Sequence, residues 1–477
     1  MSNESPLHPP TAAADLLPAD WRPEPGEVTE ALDSMILSAS GWRTVFAADG
    51  NEESHIPEVR PVHALLAGLA ARAFAEFLRE HTVPLTVAVG QDTRPTGSAL
   101  AQAAIRGLLH EQANPLYVFV SASPEIMAFT RSREGIGGFF YVSASHNPVG
   151  HNGLKMGFGD GSVTGGDASR TLINRFREMA SDGKEMAKTV AALTDPDRER
   201  ESATYEAMRT NKEDALAAYA RFIREVAKGP GPRADECFDA LSAELRAGSP
   251  GVVADMNGSA RTLTIDEAFL TSMGCRIRAG NSVPGRIAHQ IVPEGEGLDE
   301  CRQLLAEAHT EDKRFFLGYV PDNDGDRGNL VAAARGGDVR QLAAQEVFAL
   351  ACVSELSWLL HTGAALRRDD HTEPRVAVVV NGPTSMRVER IAARFGVDVH
   401  RAEVGEANVV ARARELRRDG YLVRFLGEGS NGGNITHPAA VRDPIQTILA
   451  VLKLLYGPDG PHAEGPARLW LSLAGRP

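Results

Sequence analysis

Short apolar runs alternate with stretches of helical spacing along most of this chain. LTVAVG (85–90) is β-branched, apolar and closed by glycine, and ALAQAAIRGLLHEQ (99–112) follows with apolar residues at helical intervals. PLYVFV (115–120) and GGFFYVSAS (137–145) read as the next strands. The rhythm resumes after the breaker Gly229-Pro230-Gly231-Pro232, with strand GVVADM (251–256), helix DEAFLTSMG (266–274) and strand FFLGYV (315–320). A third round has strand RVAVVV (375–380), helix RVERIAARFG (387–396) and strand YLVRFLG (421–427). Strands alternating with helices predict an α/β protein with mixed or mostly parallel sheets. Three successive α/β domains are expected, over 31–229, 230–343 and 344–470, behind a Pro- and Ala-rich, loose or locally helical arm at 1–30. Each round has one strand that runs into a polar, Gly-containing loop. Ligands of open α/β sheets sit at the carboxyl ends of strands, so these loops are where chemistry is sought.

Composition narrows the class. At 477 residues the chain is long enough for about three domains. Its formal net charge of −13 argues against a nucleic-acid partner, and an anionic substrate would need local cations that outweigh the global field. The cysteines Cys237, Cys275, Cys301 and Cys352 are scattered and form no CxxC, which fits free thiols in a reducing compartment. No window is expected to reach the roughly 18 apolar residues that cross a bilayer. The N-terminus lacks a basic stretch followed by an apolar one. A cytoplasmic protein without a membrane partner is expected.

The strongest local signal is Asp322-Asn323-Asp324-Gly325-Asp326-Arg327, directly after FFLGYV. Three carboxylates at alternate positions in a glycine-turned loop can converge on one hard cation. The competing reading is a solvated acidic turn, disfavoured by its position behind a buried strand. An EF-hand fits poorly, because Arg327 stands where the invariant glycine belongs and no glutamate closes the loop. Three protein carboxylates leave coordination room for a phosphate oxygen, the usual arrangement for Mg²⁺ in phosphoryl transfer.

Ser143-Ala144-Ser145-His146-Asn147-Pro148 also ends a strand. A serine hydroxyl is a poor nucleophile until a base or a metal activates it. Here a histidine adjoins it, Asn-Pro turns the chain, and Asn152-Gly153-Leu154-Lys155 brings back a cation. Taken alone the segment is an ordinary Ser/Asn turn. Gly427-Glu428-Gly429-Ser430-Asn431-Gly432-Gly433, after YLVRFL, allows close backbone approach and offers a carboxylate and a hydroxyl to sugar hydroxyls. Alone it is a flexible turn.

In combination and in this order the three loops resemble the α-D-phosphohexomutase family, which includes phosphoglucomutases and phosphomannomutases. Its serine loop is typically T-A-S-H-N-P, its metal loop D-x-D-G-D-R and its sugar loop G-E-x-S. Ser40-Gly41-Trp42-Arg43, Gly90-Gln91-Asp92-Thr93-Arg94-Pro95 and Val253-Ala254-Asp255-Met256-Asn257-Gly258 are similar to further family segments, and the resemblance spans about residues 35–450. It implies that Ser145 is a phosphoserine and that Asp322, Asp324 and Asp326 hold Mg²⁺, with a phosphoserine oxygen as a further ligand. It implies that Lys155, Arg43 and His146 surround the phosphoryl group in transit, Lys155 being the candidate for proton transfer. Arg327 would support the metal loop, and Glu428 and Ser430 would grip sugar hydroxyls. Hexose phosphate and hexose bisphosphate are the implied partners, and glucose is the expected sugar.

The chain departs from the pattern in three places. Ser143 stands where threonine is usual, and GEGSNGG differs from the commoner GE-x-SGH form. The family's fourth domain, with its phosphate-gripping R-x-S-G-T-E-P loop, is expected to be absent, which would impair transfer. That leaves open a truncated or non-catalytic phosphosugar-binding homologue, or a simple phosphatase acting through Ser145.

Overall fold

The β-branched and aromatic runs become the inner strands of three separate sheets. The computed structural model describes residues 15–334, 336–364, 375–430 and 432–475, so residues 1–14 of the expected arm lie outside the described residues. The rest of the arm includes helix Pro25–Asp33, whose Val28 and Ala31 are buried.

The first sheet contains β1 (Ile36–Ser38), β2 (Gly41–Val45), β3 (Thr86–Gln91), β4 (Asn114–Val120), β5 (Gly138–Val142) and β6 (His151–Phe158), in the order β1-β2-β6-β5-β3-β4. The second contains β7 (Gly251–Asp255), β8 (Arg276–Gly280), β9 (Phe315–Pro321), β10 (Gly328–Ala333) and β11 (Val339–Gln341), ordered β11-β10-β9-β7-β8. The third contains β12 (Val376–Asn381), β13 (Asp398–Ala402), β14 (Leu422–Gly427) and β15 (Ile435–Thr436), ordered β13-β12-β14-β15.

One plan underlies all three. A central strand pairs in parallel with the next two strands of the chain: β3 with β4 and β5, β7 with β8 and β9, β12 with β13 and β14. A fourth strand then folds back antiparallel on the third: β6 on β5, β10 on β9, β15 on β14. The serine, aspartate and glutamate loops are the turns of these three return hairpins. The inner parallel strands β5, β7 and β12 are buried along their length, which is why they read as continuous apolar runs, while the edge strands β8 and β13 are partly exposed. The return strands β6 and β10 carry Gly and Asn among their apolar residues and β15 is two residues long, and the sequence pattern did not mark them.

By contacts the chain divides into two compact units. One takes residues up to Tyr219 with Gly258–Thr264 and Val283–Ile291, and holds the first sheet; the other takes Ala220–Asn257, Ile265–Ser282 and the residues from Val292 onward, and holds the second and third sheets.

The core of the first unit is centred on helix Pro61–Glu80, where Leu65, Leu66, Leu69, Phe74 and Leu78 are fully buried. This helix corrects the expectation about apolar windows. It is long and apolar enough to cross a membrane by length and composition, and 89 % of that window is buried within the protein. Alanine and glycine let neighbouring helices close over it, so its apolarity serves a core. Its buried Arg72 is matched by Glu111 at 2.9 Å, Glu185 at 2.7 Å and the Thr189 hydroxyl at 2.9 Å.

Candidate functional site

In the first unit, the serine loop begins where β5 ends. Ser143 N–H donates to the Gly153 carbonyl across the hairpin at 2.8 Å, and the Ser143 hydroxyl accepts from the Ser145 N–H at 2.9 Å. Asn147 N–H closes the turn onto the Ala144 carbonyl at 3.2 Å. Ser145 sits at φ +54°, left-handed backbone that a residue with a Cβ adopts only when its surroundings hold it there. Arg94 supplies much of that hold. Its fully buried guanidinium pairs with Asp92 and donates to the Ser145 carbonyl at 2.8 Å and to the Asn147 carbonyl. Asp92 Oδ1 also accepts from the Arg94 N–H at 2.9 Å. The Gly90–Pro95 motif therefore acts as a buried brace under the serine loop, a part that sequence reasoning had quoted without assigning.

Lys155 lies on β6 opposite Tyr141, and Arg43 lies on β2 opposite Gly153 of the same strand β6. Residues two apart on a strand share a face, so Arg43 and Lys155 stand on one side of the sheet. Gly153 makes room for this: a Cβ there would meet the Ser143 carbonyl at 2.5 Å and Arg43 Cγ at 3.1 Å. Lys155 is buried, with its Nζ 6.0 Å from the centroid of the Tyr141 ring. His146 is half-buried in the turn after Ser145. Arg43, Ser145, His146 and Lys155 thus belong to one hairpin and its neighbouring strand.

In the second unit, the loop between β9 and β10 folds on itself. Arg327 N–H donates to Asp322 Oδ1 at 3.1 Å, Asp322 N–H to the Arg327 carbonyl at 3.2 Å, and Gly325 N–H to the Asp322 carbonyl at 3.1 Å. Gly325 takes φ +67°, a conformation glycine adopts without the Cβ penalty. The result brings one oxygen from each of Asp322, Asp324 and Asp326 within 4.8 Å of the others, all three residues being buried. Three buried carboxylates so close repel one another unless a cation joins them. Among the described residues, Asp326 Oδ1 is buried with no hydrogen-bond partner. The donor set is all hard oxygen, which fits Mg²⁺ or Ca²⁺ rather than zinc or copper.

The glutamate loop lies in the same unit. Glu428 Oε1 accepts from Asn381 Nδ2 and from the Gly405 N–H, each at 2.8 Å, and Gly429 N–H donates to the Thr384 hydroxyl at 3.0 Å. Glu428 is buried and Ser430 half-buried, while Asn431 lies outside the described residues. Arg442 follows β15 in the chain, just before helix Pro444–Tyr456. It is buried and forms ion pairs with Glu406 at 3.0 Å, Asp326 at 3.7 Å and Glu428 at 3.9 Å. Burial works against its charge, and the facing carboxylates Glu406, Asp326, Glu428 and Asp322 outweigh that and hold the guanidinium above the ordinary arginine range. Asp326 and Glu428 are thereby drawn to one guanidinium. Long-range partners such as Asn381 and Gly405 carry no local sequence signature, and only the fold brings them to Glu428.

Residues 43–182 match the family model described as phosphoglucomutase/phosphomannomutase, alpha/beta/alpha domain I, and residues 358–465 match that of domain III. A phosphoglucosamine mutase of Myxococcus xanthus is 28 % identical over 387 residues, covering 80 % of this chain and 71 % of that protein. A phosphoglucomutase/phosphomannomutase of Thermococcus kodakarensis is 26 % identical over 401 residues, covering 83 % and 74 %. Among solved structures, a phosphoglucomutase/phosphomannomutase family protein of Burkholderia thailandensis shares this fold with a TM-score of 0.61 at 18 % identity, over 93 % of this chain and 79 % of that one.

Proposed function

The chain belongs to the α-D-phosphohexomutase family, and on that premise we propose that it interconverts hexose 1-phosphate and hexose 6-phosphate through a phosphoserine at Ser145 and a sugar bisphosphate. Phospho-Ser145 gives its phosphoryl group to the free hydroxyl of a hexose monophosphate. The P–O bond to serine breaks, the P–O bond to the sugar forms, and the hydroxyl proton passes to Lys155. The bisphosphate turns over, and Ser145 Oγ takes the other phosphoryl group while Lys155 returns the proton to the departing sugar oxygen. Arg43 and His146 offset the charge spread over the phosphoryl oxygens in flight. Asp322, Asp324 and Asp326 would hold Mg²⁺, which would supply Lewis-acid neutralisation of that charge. Arg327 stiffens the aspartate loop, and Glu428 and Ser430 hold sugar hydroxyls. In this reading 31–229 is the phosphoserine segment, 230–343 the metal segment and 344–470 the sugar segment.

The observation that carries this reading is the repeated strand plan, in which each of the three motifs is the turn of a return hairpin. An intact serine loop and an intact carboxylate cluster also weigh against a non-catalytic homologue. Glucose is the proposed sugar. Mannose and glucosamine phosphates are the comparison substrates, since relatives are named as phosphomannomutase and phosphoglucosamine mutase. The test is ³¹P NMR of each hexose 1-phosphate with the protein, Mg²⁺ and a trace of the bisphosphate. Growth of the 6-phosphate signal, fastest for glucose, is expected. Release of inorganic phosphate alone would assign a phosphatase, and no change with any sugar would overturn the mutase reading.

A further inference from the structure

We propose that Arg442 is a positioning residue that links metal binding to sugar binding, an inference resting on the roles given above to Asp326 and Glu428. Its guanidinium meets three carboxylates from three different elements, one through each nitrogen. Nε lies 3.0 Å from Glu406 Oε2 at the start of helix Glu406–Arg418, Nη2 lies 3.7 Å from Asp326 Oδ2 in the aspartate loop, and Nη1 lies 3.9 Å from Glu428 Oε2 in the glutamate loop. Arg442 is 5 % exposed, so water screens these pairs weakly.

The distances divide the three partners into one anchor and two sharers. Glu406 is at ion-pair contact. Asp326 and Glu428 lie beyond hydrogen-bond length and compete for the remaining edges of one rigid, planar fork. Glu428 is fixed at its other oxygen by Asn381 and Gly405, so Arg442 acts on Oε2 alone.

Charge sets the direction of the linkage. The formal charge of the aspartate cluster is −3 without a cation and −1 with a divalent cation bound. A divalent cation held by the cluster would offset the charge of Asp326 and weaken its pull on Arg442. The guanidinium then shifts to Glu406 and Glu428 and fixes the carboxylate that receives the sugar hydroxyl. Linkage is reciprocal, so a sugar phosphate that engages Glu428 tightens the cation by the same factor.

The test uses the full-length chain with Ser145→Ala, which blocks transfer, and Mn²⁺ as the probe, with free Mn²⁺ read by EPR. Saturating glucose 1-phosphate is expected to tighten Mn²⁺ by about five-fold or more, within the usual range of coupling between sites. Arg442→Met is expected to bring that factor close to one. Arg442→Lys keeps the charge without the fork and is expected to fall between, and guanidinium ion added to Arg442→Ala is expected to restore the coupling. If Arg442→Met does not fold, the lysine variant and guanidinium rescue decide the question. Coupling unchanged in Arg442→Lys or Arg442→Met overturns the linkage, because the sugar's own phosphate would then be carrying it. A wild-type chain that converts 1-phosphate to 6-phosphate but shows no coupling in the Ser145→Ala form also overturns it, and leaves the mutase reading standing. A chain that binds Mn²⁺ but neither binds nor converts any hexose phosphate removes the mutase reading, and the linkage with it.

Discussion

Ser145 combines two features that oppose each other. Its hydroxyl is the proposed phosphoryl carrier, and its backbone is in the left-handed region at φ +54°. Residues held in such regions carry about 1–3 kcal/mol of strain, sustained by the surrounding structure. Here the Arg94–Asp92 brace beneath the loop does the sustaining, and it presents the side chain at the head of the hairpin. Glycine takes this conformation freely but loses about 0.5–1 kcal/mol more chain entropy on folding. Ser145→Gly is therefore expected to be no less stable than wild type, while losing phosphate incorporation from glucose 1,6-bisphosphate. Thermal unfolding and intact-mass measurement of the two proteins check both halves. A clear loss of stability would mean that the serine side chain, rather than the brace, holds the loop.

At the scale of elements, helix Pro61–Glu80 governs the first unit, and two of its features have measurable consequences. Gly68 faces Gly107 of helix Gly97–His110 so closely that a Cβ at Gly107 would lie 2.5 Å from the Gly68 carbonyl oxygen. Gly107→Ala is expected to destabilise by about 1–3 kcal/mol through crowding of this crossing. That crowding exceeds the roughly 1 kcal/mol of helix propensity which alanine contributes. Urea denaturation measures the balance. The same helix buries His63 against Phe46, and burial, helped by the charge of Arg60 and opposed by a hydrogen bond to the Phe46 backbone, pushes His63 down to about 4. Histidine in an unfolded chain titrates near 6.5. Between about 6.5 and about 4 the unfolded chain binds a proton that the folded chain refuses, so stability falls as pH drops through that window and levels off below it. The shift corresponds to about 3 kcal/mol at roughly 1.4 kcal/mol per pH unit. Folding free energies measured from pH 7 to 4 should show this slope, and His63→Gln should flatten it.

Across the whole molecule, one strand plan occurs three times with three different loop chemistries. The inner parallel strands supply the buried frame, and each return hairpin holds a polar turn at its head. The carboxylate cluster holds like charges together in a buried site, which costs stability until a cation joins them. A cation that binds only the folded protein stabilises it by about 2.7 kcal/mol at a concentration one hundred times its dissociation constant. The thermal midpoint is thus expected to rise with Mg²⁺ and fall with chelator. Asp324→Asn is expected to abolish that dependence. It should also lower turnover by about 10²–10³, equivalent to the several kcal/mol that a bound metal contributes to a phosphoryl transition state. Calorimetry with and without Mg²⁺, run beside the NMR assay, checks both. Normal turnover in Asp324→Asn would make the cluster structural only.

Apolar runs such as FFLGYV and RVAVVV determined by themselves that inner strands would form, because strands buried on both faces must be apolar throughout. The loops at their ends determined which residue types would do chemistry, because carboxylates at alternate positions and a serine beside Asn-Pro are local features. Pairing direction was beyond such reading. HNGLKMGF folds back as β6 with no alternation to announce it, and its Gly153 is explained only by the Ser143 carbonyl and the Arg43 side chain that close over it. The apolar window at 61–80 likewise has the composition of a spanning helix and becomes a core helix only because the surrounding helices enclose it. The tertiary structure alone decided that Arg94 would brace Ser145 and that Arg442 would join Glu406, Asp326 and Glu428. A buried guanidinium chooses its partners by three-dimensional proximity in a medium of low dielectric constant, and residues far apart in the chain share no periodicity that records the choice.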